Sequence, residues 1–241
     1  MSQHATLTDM APRAAYVEGM RRAFGVPVIV LAASYLGFGV LCRESGLGVG
    51  YSLASTATGW ALPGQIALVE LYAVGASWIA VVLAVALSNA RLLPMTATLL
   101  PFLRHPGTPR WKYYLAAHYV AVTGWANAMV ICPTLTTRAR LPFFFGFVTV
   151  LQAGTLLTTG IGYFLPGVLP LSITLGLVFL NPIYFMLIFA ADMRARARAL
   201  ALGFGAVCGP LLHLVSPEWG LLATGLIAGT IAFVVDNRWP R

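Results

Sequence analysis

The chain has 241 residues, of which 59% are hydrophobic and only 9% charged, with a net charge of +8 and a mean hydropathy of +0.83. A soluble domain carries about 25% charged residues, so too few are present to cover a water-facing surface, and an ordinary soluble fold is excluded. The positive balance, lacking a basic stripe interleaved with aromatics, suits loops facing a cytoplasm and anionic membrane lipid, and argues against nucleic acid.

Residues 1–22 carry Asp9, Arg13, Glu18, Arg21 and Arg22. Charges of both signs over that length, with no short apolar core and small-residue cleavage site, argue against a cleavable signal. Thr8 or Asp9 is placed to cap a short helix with Pro12 in its first turn, so 1–22 reads as a cytoplasmic, interfacial segment ending at an Arg21-Arg22 anchor. Apolar blocks follow at 24–42, 46–62, 64–88, 113–133, 141–164, 167–191, 199–215 and 217–235. Crossing a bilayer takes roughly 20 apolar residues as a helix. These blocks are continuous and rich in Leu, Ala and Val, without the alternation of barrel strands. The stretch 92–103, cut by Pro94 and Pro101, is predicted as a half-helix, and 104–112 as the main hydrophilic loop. The expected architecture is therefore all-α: a polytopic helical membrane protein of about seven to eight transmembrane segments, forming one domain over 1–241. If all eight cross, with the N-terminus cytoplasmic, Arg13, Arg21, Arg22, Arg138, Arg140, Arg194, Arg196, Arg198, Arg238 and Arg241 lie inside. Arg43, Arg104, Arg110 and Lys112 lie outside, with Arg91 near the outer end of the third segment. The Lys/Arg bias favours that arrangement, with both ends cytoplasmic.

Two stretches interrupt the apolar pattern. In Gly59–Glu70, Pro63 and Gly64 oppose helix, and Gln65 follows at once. A helix opened within a bilayer exposes backbone groups, which is tolerated only against protein or a water-filled cavity. The second break is Asn181-Pro182, where Pro182 frees a carbonyl that Asn181 can satisfy. A pair of interrupted helices is the best sequence pointer to a transport site, so Pro63, Gly64, Gln65, Asn181 and Pro182 are the candidate substrate-binding residues. A tight loop between two short crossings and a simple proline kink are the plainer alternatives. Glu70 is an acid in an apolar zone, by default a functional candidate for moving a proton; a structural partnership with Arg91 or His118 is the alternative. Asn89 and Arg91 end a long apolar run, where Arg91 could clamp a carboxylate or snorkel to headgroups. With His118 they complete the candidate coupling or gating set. Asn127 and Gln152 read either as interhelical hydrogen-bond partners or as substrate contacts.

Cys42, Cys132 and Cys208 lie far apart in apolar surroundings and suggest neither disulfide nor metal site. Gly205-Ala-Val-Cys-Gly209 and Gly225-Leu-Ile-Ala-Gly229 match the small-residue motif of close helix packing. No Walker A loop, H-E-x-x-H or G-x-S-x-G occurs, so an enzyme is hard to build and no cofactor is implied.

From about Tyr16 to Val235 the chain resembles the AzlC family, the large subunit of bacterial branched-chain amino acid exporters. The motifs are Leu36-Gly-Phe-Gly-Val-Leu-Cys-Arg-Glu-Ser-Gly46, then Pro63-Gly64-Gln65, then Asn89-x-Arg91 followed by Pro101. The resemblance implies export of branched-chain or other small hydrophobic amino acids across the bacterial inner membrane, driven by an ion gradient, with a small AzlD-type membrane subunit as partner. Leu92 departs from the aromatic or His of many relatives, and Thr123-Gly124-Trp125 from an acidic pair, which would leave Glu70 to carry the coupling. A non-transporting scaffold subunit, a channel, and an exporter of another small metabolite are the competing expectations.

Overall fold

The computed structural model describes residues 10–165, 170, 172–177, 179, 183, 196–215 and 220–238. Among these, regular structure is helical throughout. The helices are α1 Pro12–Ala23, α2 Val26–Glu44, α3 Val49–Gly59, α4 Leu62–Ala73, α5 Trp78–Asn89, α6 Leu92–Leu103, α7 Arg110–His118 and α8 Val122–Ile131. A 3₁₀ turn, Cys132–Thr134, leads to α9 Thr137–Tyr163, and α10 Arg196–Val215 and α11 Gly220–Arg238 follow. The chain divides into a unit Met1–Asn181 and a unit Pro182–Arg241. By length and composition α2 and α9 can each cross a membrane, and α5 with α6, bent 45° to one another, counts as a third span if taken together.

The first unit is built on α9, whose 27 residues extend about 40 Å at 1.5 Å per residue. Tyr16 and Met20 of α1 meet Gly146, Val28 of α2 meets Gly154, and Leu36 of α2 meets Gly162. The contacts advance together, so α1 and α2 run parallel to α9. In α3, Leu53 lies at Gly160, Thr56 at Thr159 and Trp60, just past its end, at Thr155, so α3 runs antiparallel. Both parallel crossings are mutually bare. A Cβ on Gly19 would overlap the Phe143 carbonyl oxygen, and one on Gly146 the Tyr16 oxygen. Likewise a Cβ on Gly39 would overlap the Thr159 oxygen, and one on Gly162 the Leu36 oxygen. In lipid, where apolar burial gives helices little reason to associate, such close backbone approach is the main source of cohesion. Phe38, Leu99, Leu103, Phe143, Phe144, Phe147 and Leu151 fill the core between the crossings.

Several expectations are corrected. The segment 64–88 is not one helix: Gly75 turns the chain at φ 68°, and Ser77 then starts α5 by accepting from the Ala80 amide at 3.3 Å. The break falls at Trp60-Ala61, one residue before Pro63's own turn, because proline is tolerated in the first turn of α4 and ends nothing there. The segment 113–133 is broken as well, at Tyr119–Ala121, and the loop after α6 ends earlier than predicted because α7 begins at Arg110. Arg91 stands in the bend between α5 and α6, not at the end of a long helix. The N-terminal helix is entered through Ala11, with Pro12 first, and it packs on α9 through Gly19; Arg22 pairs with Glu18 at 2.7 Å. In the second unit, among the described residues, Gly209 makes only ordinary contact with Thr224, and nothing lies within 4 Å of a Cβ on Gly203, Gly205 or Gly229. Asn181 and Pro182, with most of 167–191, lie outside the described residues.

Candidate functional site at the broken helices

Helix α3 ends in a polar run, Ser52, Ser55, Thr56, Thr58, and its inner face meets the stripe Gln152, Thr155, Thr159 on α9. Spacing of three and four residues puts Ser52, Ser55 and Thr56 on one face of α3, and Gln152, Thr155 and Thr159 on one face of α9, whereas Thr58 is exposed. Ser52, Thr56, Gln65, Gln152, Thr155 and Thr159 are all buried. Gln65, in the first turn of α4, ties the layer together. Its Oε1 accepts from the Tyr35 hydroxyl at 2.8 Å, and its Nε2 donates to Ser55 Oγ at 3.1 Å and Thr56 Oγ1 at 3.2 Å. Both amide hydrogens are thereby spent within the protein. Thr56 and Thr159 hydroxyls are 3.2 Å apart, Gln152 Nε2 donates to the Thr56 carbonyl at 3.0 Å, and Trp60 Nε1 donates to Thr155 Oγ1 at 3.2 Å.

The break after Trp60 leaves α4 with an alanine, Ala61, at its N-cap and no side chain capping it. The first amide bonded back is that of Gln65, to Ala61 at 3.1 Å. The amides of Leu62 and Gly64 have no acceptor one turn back, and Pro63 has no N–H at all. Helix α8 begins the same way: Ala121 is its N-cap, no side chain caps it, and Trp125 bonds back to Ala121 at 2.8 Å. Val122, Thr123 and Gly124 are buried, as are Ala61, Leu62, Gly64 and Gln65. The other uncapped starts in this unit, at α1, α2, α3, α6, α7 and α9, each have an exposed N-cap residue. A buried, uncapped helix start carries amide hydrogens and about half a positive charge with nothing to receive them.

These two breaks meet. The Trp60 ring stands edge-on to Tyr119, centroids 6.2 Å apart, and His118 Nε2 lies 3.3 Å from the Ala57 carbonyl at the end of α3. The bend between α5 and α6 joins them from the other side. A Cβ on Gly64 would sit 2.6 Å from Asn89 Oδ1, so the Asn89 amide lies directly on the bare start of α4. That oxygen is buried and has no partner among the described residues, and the same holds for Gln152 Oε1. Trp125 Nε1, donating to Thr98 Oγ1 at 3.1 Å, fastens α8 to α6.

Of the residues singled out from sequence, Pro63, Gly64, Gln65 and Asn89 come together here, and His118 borders the junction. Glu70 is exposed in the last turn of α4, about 9 Å along the helix from Gly64 at 1.5 Å per residue. No ion pair joins Glu70 to Arg91 or His118 among the described residues. Arg91 is exposed at its bend. Sequence reasoning missed the break at Tyr119–Ala121, which has neither Pro nor Gly, and the roles of Tyr35, Thr56, Trp60, Thr155 and Thr159. The 152, 155, 159 spacing of polar residues in an otherwise apolar helix was the signal available for the layer.

A junction of broken helices with donors at the helix starts and bare acceptors beside them is a means of holding a small polar molecule inside an apolar protein. No curated protein and no solved structure matches the chain. A family model described as AzlC protein matches residues 27–181, which spans α2 through α9 and every residue of the junction. The apolar helices, the broken-helix junction and that match agree: this chain belongs to the AzlC family, a membrane protein family associated with branched-chain amino acid export.

Proposed function

We propose that the chain is a secondary exporter of branched-chain and other small hydrophobic amino acids in a bacterial inner membrane, coupled to a proton gradient and working with a small AzlD-type membrane subunit. The observation that carries this reading is the pair of buried, uncapped helix starts at Leu62 and Val122, which meet through Trp60 and Tyr119. An amino acid carboxylate would accept from the Leu62 and Gly64 amides, where the α4 dipole favours negative charge. Pro63 fixes the backbone for that approach, and the bare face of Gly64 leaves room. Gln65 contributes by holding the start of α4 in place rather than by donating, since its hydrogens are spent. Asn181 and Pro182 are proposed to complete the site. Apolar walls take the branched side chain.

Coupling falls to Glu70, Asn89, Arg91 and His118. His118 holds α7 to the end of α3 through one long bond, 3.3 Å, which a gating motion at the break would open. Eight crossings with both ends cytoplasmic suit the parallel run of α2 and α9. Parallel spans need an odd number of crossings between them, and α3 with α4, α5 with α6, and α7 with α8 supply three.

The test is efflux of labelled leucine, valine and methionine from loaded vesicles, with and without a pH gradient, for the chain alone and with its small partner. Saturable, partner-dependent efflux that responds to the gradient is expected. Cargo at 100 times its dissociation constant should also stabilise the protein by about 2.7 kcal/mol. Neither flux nor stabilisation, in folded and partnered protein, would sink the export reading in favour of a scaffold subunit; flux without saturation would indicate a channel.

A further inference from the structure

We infer that Gln152 reads the cargo's ammonium group, its side-chain oxygen being the acceptor that the resting protein leaves empty. This rests on the export reading and adds a residue and a chemical requirement to it. Gln152 is 7% exposed, and its Oε1 has no partner among the described residues. Its orientation is not free. Nε2 donates to the Thr56 carbonyl at 3.0 Å, and a carbonyl can only accept, so the amide cannot be turned to hide the oxygen.

Nor can the surroundings supply a donor. The Thr155 hydroxyl donates to the Gln152 carbonyl at 3.0 Å, and the Thr159 hydroxyl lies 2.8 Å from the Thr155 carbonyl. Thr56 Oγ1 is 3.2 Å from the Ser52 carbonyl, Trp60 Nε1 is spent on Thr155, and Gln65 on Ser55 and Thr56. Each hydrogen in the layer is committed, so satisfying Gln152 Oε1 from within would orphan another group. Native interiors rarely leave such an acceptor bare without a reason. Asn89 Oδ1, against Gly64 at the start of α4, repeats the pattern. The junction thus combines unsatisfied acceptors with the unsatisfied donors of Leu62 and Gly64.

The complement of that combination is one molecule carrying both a donor and an acceptor of opposite charge. No acid among the described residues is buried, so a lone metal cation would enter neutral oxygens without a counter-charge, at a heavy desolvation cost. A zwitterion brings its own. Its carboxylate takes the α4 amides and its ammonium takes the amide oxygen. Thr155, one turn along α9 from Gln152, receives Trp60, the residue before Ala61, so both ends of the site are anchored to one helix face.

The experiment measures binding to the full chain, with its partner subunit, by thermal stabilisation with L-leucine and with 4-methylpentanoate, which lacks the ammonium. Wild type should bind leucine at least about tenfold more tightly, the effect of leaving a buried polar group unpaired. Gln152→Met should weaken leucine alone, bringing the two ligands within about threefold of each other. Equal binding of the two ligands by wild type overturns the inference whatever any variant does. An undiminished leucine preference in folded Gln152→Met also overturns it and leaves export standing. Stabilisation by sodium or potassium chloride alone, lost in Gln152→Met, would give the oxygen to an alkali cation instead and likewise overturn it. Failure of wild type to bind leucine, valine or methionine sinks the export reading, and this inference with it.

Discussion

Gly19, Gly39, Gly146 and Gly162 let α1 and α2 approach α9 until backbone oxygens occupy the space a side chain would need. A methyl group there cannot be absorbed by turning a flexible neighbour, because the obstacle is main chain. Gly146→Ala and Gly162→Ala should each destabilise the protein by about 1–3 kcal/mol through forced helix separation. Gly203→Ala, whose added methyl would meet none of the described residues, should be neutral or slightly stabilising through helix propensity. Thermal unfolding in detergent separates these, and equal melting of all three variants would remove the crossings from the account of stability. The sequence could not reveal these pairs. The small-residue motifs it offers are local, at Gly205–Gly209 and Gly225–Gly229, whereas the true crossings join residues more than a hundred positions apart. Gln65 was legible as a polar residue in an apolar break; its three partners, Tyr35, Ser55 and Thr56, were not, since only the fold brings α2 and α3 to it.

Breaks in helices are the element on which the site depends, and they differ in how openly they are written. The one before α4 is announced by Pro63 and Gly64, although its position is displaced to Trp60-Ala61. The one before α8 is silent. The string Thr-Gly-Trp-Ala occurs twice, at 58–61 running into the first break and at 123–126 following the second. The same four residues therefore end one helix and open another, so their surroundings in the fold decide, not local preference. Both half-helices begin at alanine, a poor N-cap. Ala61→Ser should supply the missing acceptor for the Gly64 amide and stabilise the folded state by about 0.5–2 kcal/mol. The same change should reduce leucine efflux, since the cargo then competes with a resident hydroxyl. Raised melting temperature with lowered flux is the expected pair of readings. Raised stability with flux intact would take the α4 start out of the transport path.

At the scale of the first unit, the proposed three crossings between α2 and α9 decide which turns share a side of the membrane. Cysteines introduced at Gly46 and Gly107 should label from one side, and those at Gly75 and Thr136 from the other, with the second pair cytoplasmic. A membrane-impermeant maleimide applied to intact cells and to inverted vesicles reads this directly. Gly75 and Gly107 labelling from one side would mean that α5 and α6 do not cross together, and the odd count would fail. The native thiols interfere little. Cys42 and Cys132 are buried, out of reach of the reagent. Cys208, partly exposed, is replaced by Ser for the experiment. Helical character and membrane residence were readable from block length and low charge alone. Whether short helices pair into spans was not, because a turn at Gly75 and a break at Trp60 look alike until neighbours are known.

The reliance of α1 and α2 on α9 also has a timetable. Tyr16 and its partner Thr149 are 133 residues apart, about 7–27 s of synthesis at roughly 5–20 residues per second. Gln65 follows Tyr35 by only 30 residues, but for most of that interval the first hydrophobic helix stands with its glycine face bare and without α9 beside it. The nascent chain must therefore be sheltered by the insertion machinery or wait in the bilayer half-made. A message truncated before the codons for α9 would yield a product whose opening helices have nothing to close upon, marking it for membrane proteolysis.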